Sequence, residues 1–246
     1  EWQYEWGTAL AEDFRYEAMA ETVFTSLASH SDKTRKNQGR IGLATLRRSQ
    51  ARSAGTTEEK DKLNDEALGM LREAAKSLPR GSKAYFDAQF GIADMRQDIA
   101  SDVIALYEQG RIPADKIDDV RKNALNGLNE SAGIYETAAE RFWGVSQQAK
   151  PDEWLLGRRA RLSSAILRLY KAELMATDPK KKGGVIWEGE LDEAKTTLED
   201  FIWEHEDVLI GYHGYLWKGR VLAQLVDAGS SRAKIEDVIE NWVTIP

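Results

Sequence analysis

The 246 residues carry 34 Lys and Arg against 41 Asp and Glu, a formal net charge of −7 at pH 7, with 42% hydrophobic and 30% charged residues. The acidic balance argues against a nucleic-acid-binding protein, and the lack of Cys excludes disulfides, thiolate catalysis and Cys-based zinc sites. No apolar stretch approaches the roughly 18 residues needed to cross a bilayer, and only 5 Pro interrupt a composition that favours helix.

The chain begins at Glu1 without Met, and Trp2, Tyr4 and Trp6 cluster there. They read either as an aromatic belt beside an upstream membrane anchor or as a cap over the first pair of helices. Apolar periodicity and helix breakers predict about nine helices. The first runs from about Thr8 to Ser29 on a stripe of Phe14, Ala18, Val23 and Leu27. Ser31 and Asp32 supply a cap for the second, which carries Ile41, Ala44 and Leu46 and fades near Gly55. Thr57 starts the third, whose stripe of Leu63, Ala67, Leu71, Ala74 and Leu78 stops at Pro79 and Gly81. The fourth spans about Ser82 to Gln109, and Gly110 with Pro113 breaks it.

A fifth helix over Ala114 to Trp143 contains Gly127 and Gly133, which weaken its continuity. Pro151 opens the sixth, which ends at Asp178-Pro179. Lys180-Lys181-Lys182-Gly183-Gly184 reads as a solvated loop, the loosest joint (near 178–190) in what is otherwise expected to be one helical repeat domain over 1–246. The seventh helix is Glu190 to His205, the eighth Tyr212 to Asp227 and the ninth about Ser231 to Val243. Val185-Ile186-Trp187 is too short to found a sheet, so the fold class is all-α.

An internal repeat runs through these elements. Asp65-Glu66-Ala67 and Asp192-Glu193-Ala194 each open a helical run, and Gly91 and Gly219 follow at nearly equal distances in the next; Glu17-Ala18 and Gly42 keep that separation. Ala67, Ala74 and Pro79 have the spacing of the second helix of the tetratricopeptide repeat (TPR) family, and Ile41-Gly42, Phe90-Gly91 and Leu156-Gly157 match the apolar-Gly pair of its first helix. The chain thus resembles a degenerate TPR protein. It departs from the family at Lys218-Gly219 and at Gln38, Asp87 and Glu153, where an aromatic residue belongs and only Tyr215 fits. Its Gly-to-Gly separations also exceed the family's repeat length, which implies extended helices or inserted loops.

The resemblance implies a right-handed α-solenoid of helix-turn-helix pairs whose first helices line a concave groove. The groove positions it assigns are Arg47, Tyr85, Arg96, Trp154, Arg158, Arg161, His213 and Arg220. Guanidinium groups suit bidentate carboxylate recognition and the aromatic neighbours add apolar anchoring. The implied function is a non-enzymatic scaffold holding an acidic or C-terminal segment of a protein or peptide partner within a larger assembly. The pattern is also similar to bacterial envelope proteins with degenerate TPR-like domains after one membrane helix, which implies a periplasmic or envelope setting.

Plainer readings stand beside these. The Arg residues could solvate helix faces or pair with Glu one turn away, and the chain could be a structural subunit that self-associates through its end faces. An all-α metal enzyme would draw on Asp115, Asp118 and Asp119, although acids in a first helical turn follow from the dipole alone. Glu204, His205 and Glu206 are consecutive and diverge around a helix, and His213 lies beyond Gly211, so no metal site or cofactor is expected. Trp203, Trp217 and Trp242 are expected to pack together as a C-terminal block, any one left exposed being a contact hot spot.

Overall fold

A computed structural model describes Tyr4 and residues 16–178, 180–205 and 209–243. Regular structure among these residues is entirely helical: α1 (Glu17–Ala28), α2 (Lys33–Ser53), α3 (Thr57–Ser77), α4 (Lys83–Glu108), α5 (Ile117–Phe142), α6 (Pro151–Ala176), α7 (Val185–Glu204), α8 (Leu209–Asp227) and α9 (Ile235–Val243). No helix among the described residues is long and apolar enough to cross a membrane.

Local chemistry accounts for the ends. The Asp32 side chain accepts a hydrogen bond from the Arg35 backbone N–H at 2.9 Å and so caps α2. Thr57 opens α3 as predicted, and Thr56 before it caps the helix by accepting from the Glu59 N–H at 3.2 Å. Gly81 and Gly110 adopt left-handed φ angles of 84° and 63°, turning the chain into and out of α4. Gly127 and Gly133 leave α5 unbroken. The seventh helix starts five residues earlier than its periodicity predicts, because Trp187 is buried together with Leu191 and Ala194, one and two turns on.

The chain divides into two compact units, Glu1–Met95 and Arg96–Pro246. In the first, α1 packs on α2 and α2 on α3. Ala20, Phe24 and Leu27 form a small core on which Tyr4, Val23 and Leu43 pack. Tyr4 lies 6.0 Å from the Phe24 ring, and burial, with Asp87 adding, pushes its phenol up to about 12. It covers the first helices as a cap does, whereas Trp2 and Trp6 lie outside the described residues.

In the second unit α5 to α9 pack each on the next, and α6 also touches α8. Ala165, Leu169, Trp187, Leu191, Leu198, Val221, Leu222 and Leu225 make its largest core. Arg121, almost fully buried, fastens the start of α5 to the end of α6: its Nε donates to Thr177 Oγ1 at 2.8 Å and its Nη2 to the Thr177 carbonyl at 3.1 Å.

A close glycine contact recurs between successive helices. Phe24 of α1 lies against Gly42 of α2, Leu71 of α3 against Gly91 of α4, and Phe142 of α5 against Gly157 of α6. A Cβ on any of these glycines would press into that side chain. Both Asp-Glu-Ala copies also behave alike. Ala67 and Ala194 are fully buried, while Glu66 meets Arg47 at 3.5 Å and Glu193 meets Arg168 at 2.6 Å, each Arg on the preceding helix. In the third, weaker copy Ala18 is exposed.

Candidate partner-binding surface

The end of α5, the first half of α6 and the end of α7 bring together four aromatic rings, two guanidinium groups and an imidazole. Gly157 lets α6 approach Phe142, and Trp143-Gly144 ends α5 beside it. Arg158 then reaches back and donates from Nη1 to the Trp143 carbonyl at 3.1 Å, satisfying an orphan C-terminal carbonyl. Its guanidinium stacks on two indoles, 5.2 Å from the Trp143 ring and 5.0 Å from the Trp154 ring. Burial lowers its pKa; Glu204 opposes that shift and Arg161 adds to it.

Arg161 lies closer still, 4.3 Å over Trp143, and its Nη1 donates to both Glu204 oxygens at 3.1 and 3.0 Å, with Asp200 at 3.5 Å. His205 is 8% exposed and sits edge-on to Phe201 at 4.7 Å and to Trp154 at 5.9 Å. Its Nε2 meets no hydrogen-bonding partner among the described residues. Burial lowers its pKa, the Arg158 and Arg161 cations lower it further, and Glu204 opposes them.

Three large apolar side chains on these elements are exposed. Trp143 is 42% exposed, Leu155 51% and Trp203 80%. The expected C-terminal tryptophan block is therefore corrected. Trp203 points into water, Trp217 packs on the core beside Tyr170 at 6.2 Å, and Trp242 lies against Gly219. Trp203 follows Ile202, which turns inward with Phe201, so helical geometry leaves the next side chain outside.

Of the eight groove positions, Trp154, Arg158 and Arg161 fall in this one cluster. Arg220 belongs to a second constellation, a cleft of about 480 Å³ lined by Tyr107, Glu108, Tyr170, Glu173 and Lys182 among others. There its Nη2 meets Glu173 at 2.8 Å and its guanidinium lies 4.8 Å from the Trp217 ring. Burial raises the Glu173 pKa, Arg220 partly offsets that, and Glu108 adds to it.

His213 is exposed on α8, and Arg96 meets Glu130 of α5 at 3.4 Å with its stem laid over Gly127. In the first unit Arg47 joins α1 to α3 through Glu21 and Glu66, and Tyr85 sits in the first turn of α4, edge-on to Phe86 at 5.4 Å. The carboxylates that meet Arg47, Arg96, Arg161 and Arg220 thus come from other helices.

Sequence reasoning missed Trp143, Glu204 and His205 as parts of the surface. Their signal was weak: a Trp-Gly pair at a helix end and an acid-His pair at another. Asp115, Asp118 and Asp119 are exposed, and Asp118 engages Arg121 at 2.8 Å. Among the described residues no three His, Asp or Glu side chains converge on a metal position. No family model matches the chain, and no curated protein or solved structure matches it.

Proposed function

We propose that this chain is a non-enzymatic protein-interaction scaffold built as a TPR-like, right-handed α-solenoid, with its partner seated over Trp143, Trp154, Arg158, Arg161 and Trp203. The observation that carries this reading is the exposure of Trp143 beside two guanidinium groups stacked on its indole, with Trp203 exposed near the end of α7. Trp and Arg dominate interface energetics, and a pre-stacked Arg loses little freedom on binding. A carboxylate-bearing segment can compete with Glu204 and Asp200 for Arg161 while its apolar residues cover the indoles. The repeated glycine contacts and the alike Asp-Glu-Ala copies support the solenoid, and the similarity to bacterial envelope proteins with TPR-like domains favours an envelope setting.

Affinity capture from native extract with the wild type and a Trp143→Ala, Trp203→Ala variant tests this. Loss of a hot spot of about 2 kcal/mol weakens the captured partner's affinity about thirtyfold. An unchanged affinity contradicts the proposal.

One observation favours a second reading, self-association. Ile235, Ile239, Trp242 and Val243 form an exposed apolar stripe at helical spacing on α9. Light scattering across concentration decides it: mass that rises with concentration, and stops rising in an Ile235→Glu, Ile239→Glu variant, supports that reading, and constant mass removes it.

A further inference from the structure

We infer that residues 180–186, the loop before α7 and its first turn, form a tip that docks on an anionic bilayer surface. Lys180, Lys181 and Lys182 are all exposed, and Gly183, with φ at 75°, turns the chain into the helix. Val185 and Ile186 follow at 88% and 73% exposed. Trp187 is the first residue of α7 that enters the core, at 1% exposed. Two large aliphatic side chains at the head of this helix therefore add nothing to the packing of the second unit.

The Lys180–Lys182 run puts positive charge beside them in a chain of net charge −7. Carboxylates near the tip are engaged by cations: Asp178 shares Arg121 with Asp118 and meets Lys181 at 3.7 Å, while Arg232 meets Glu188 at 3.6 Å and also Asp192. On the other side Lys182 reaches the rim of the cleft that holds Glu108, Glu173 and Arg220. Within 178–186 itself three lysines stand against one carboxylate, Asp178.

This chemistry suits lipid better than protein. Interface cores in protein complexes favour aromatic residues and Arg and are depleted of Lys. Ammonium groups beside lipid phosphates, with neighbouring aliphatic side chains entering the acyl boundary, are what an anionic membrane surface selects. The tip is separate from the Trp143–Trp203 surface, and neither inference rests on the other.

Co-sedimentation of the whole chain with phosphatidylcholine vesicles, with and without phosphatidylglycerol, tests it at low salt. The wild type pellets with the anionic vesicles and stays in solution with the zwitterionic ones. Lys180→Glu, Lys181→Glu, Lys182→Glu abolishes binding, and the matching Gln triple gives an intermediate loss. Val185→Ser, Ile186→Ser lowers the partition coefficient about tenfold. Every substituted side chain is exposed, so all variants keep the wild-type circular dichroism and melting temperature. Absence of wild-type binding to anionic vesicles, as expected if the tip serves a protein partner, overturns the inference. So does undiminished binding by the Val185, Ile186 variant, which leaves only diffuse charge attraction.

Discussion

Gly39 and Gly133 both lie inside helices, yet the space beside them differs. A Cβ at Gly39 would meet the backbone of Leu27 and Ala28, which cannot move aside, whereas a Cβ at Gly133 meets nothing within 4 Å. Gly39→Ala therefore destabilises by about 2–3 kcal/mol. Gly133→Ala stabilises by about 0.5–1 kcal/mol, because only the backbone entropy of the unfolded chain changes. Urea denaturation of both variants checks the pair, and a shared sign contradicts the packing described.

His205 supplies a pH test at the same scale. Its folded pKa lies below the ordinary 6.5, so between the two values the unfolded chain binds the proton more readily. The stability it contributes is present above about pH 6.5 and is lost as pH falls through the lowered value. Between about pH 7.5 and about pH 5.5 the wild type should lose more unfolding free energy than His205→Gln. Equal losses would show that burial beside Arg158 and Arg161 does not govern this imidazole.

At the level of elements, helix identity was legible because apolar spacing and breakers act locally. Pro151 opens α6, Asp32 caps α2, and Ala67, Leu71 and Ala74 of α3 are buried as predicted, joined by Asn64, Leu68 and Ala75, while Leu63 is half-buried. The head of α7 was not legible: Val185 and Ile186 are helical without being buried, so periodicity has nothing to detect there. Trp203 failed for a related reason, since an indole on the solvent side of α7 looks in sequence like one on the core side. The surface itself was half legible. Its Arg positions were among those the TPR resemblance implied, but their partners Trp143 and Glu204 come from other helices, and sequence distance does not reveal that contact.

The terminal helix makes the same distinction measurable. Val238 packs on the core of the second unit while Ile235 and Ile239 face water. Val238→Ala should cost on the order of 1–3 kcal/mol, and Ile235→Ala less than about 0.5 kcal/mol, by urea denaturation. Equal costs would mean that α9 packs through a different face.

On the scale of the whole molecule, an acidic chain ties several of its arginines to carboxylates. Arg47, Arg96, Arg168 and Arg220 are held by carboxylates of neighbouring helices and contribute to packing. Arg158 and Arg161 also stack on indoles, the exposed Trp143 among them, so cations and exposed apolar area adjoin there. Exposed tryptophan is costly in water and is retained where something covers it.

Amide hydrogen exchange, with and without the captured partner, reads that covering directly. Slower exchange confined to 141–161 and 198–205 on binding is the predicted result. Protection confined to α2 and α3, or to α9, with residues 141–161 unchanged, would place the partner elsewhere and contradict the account.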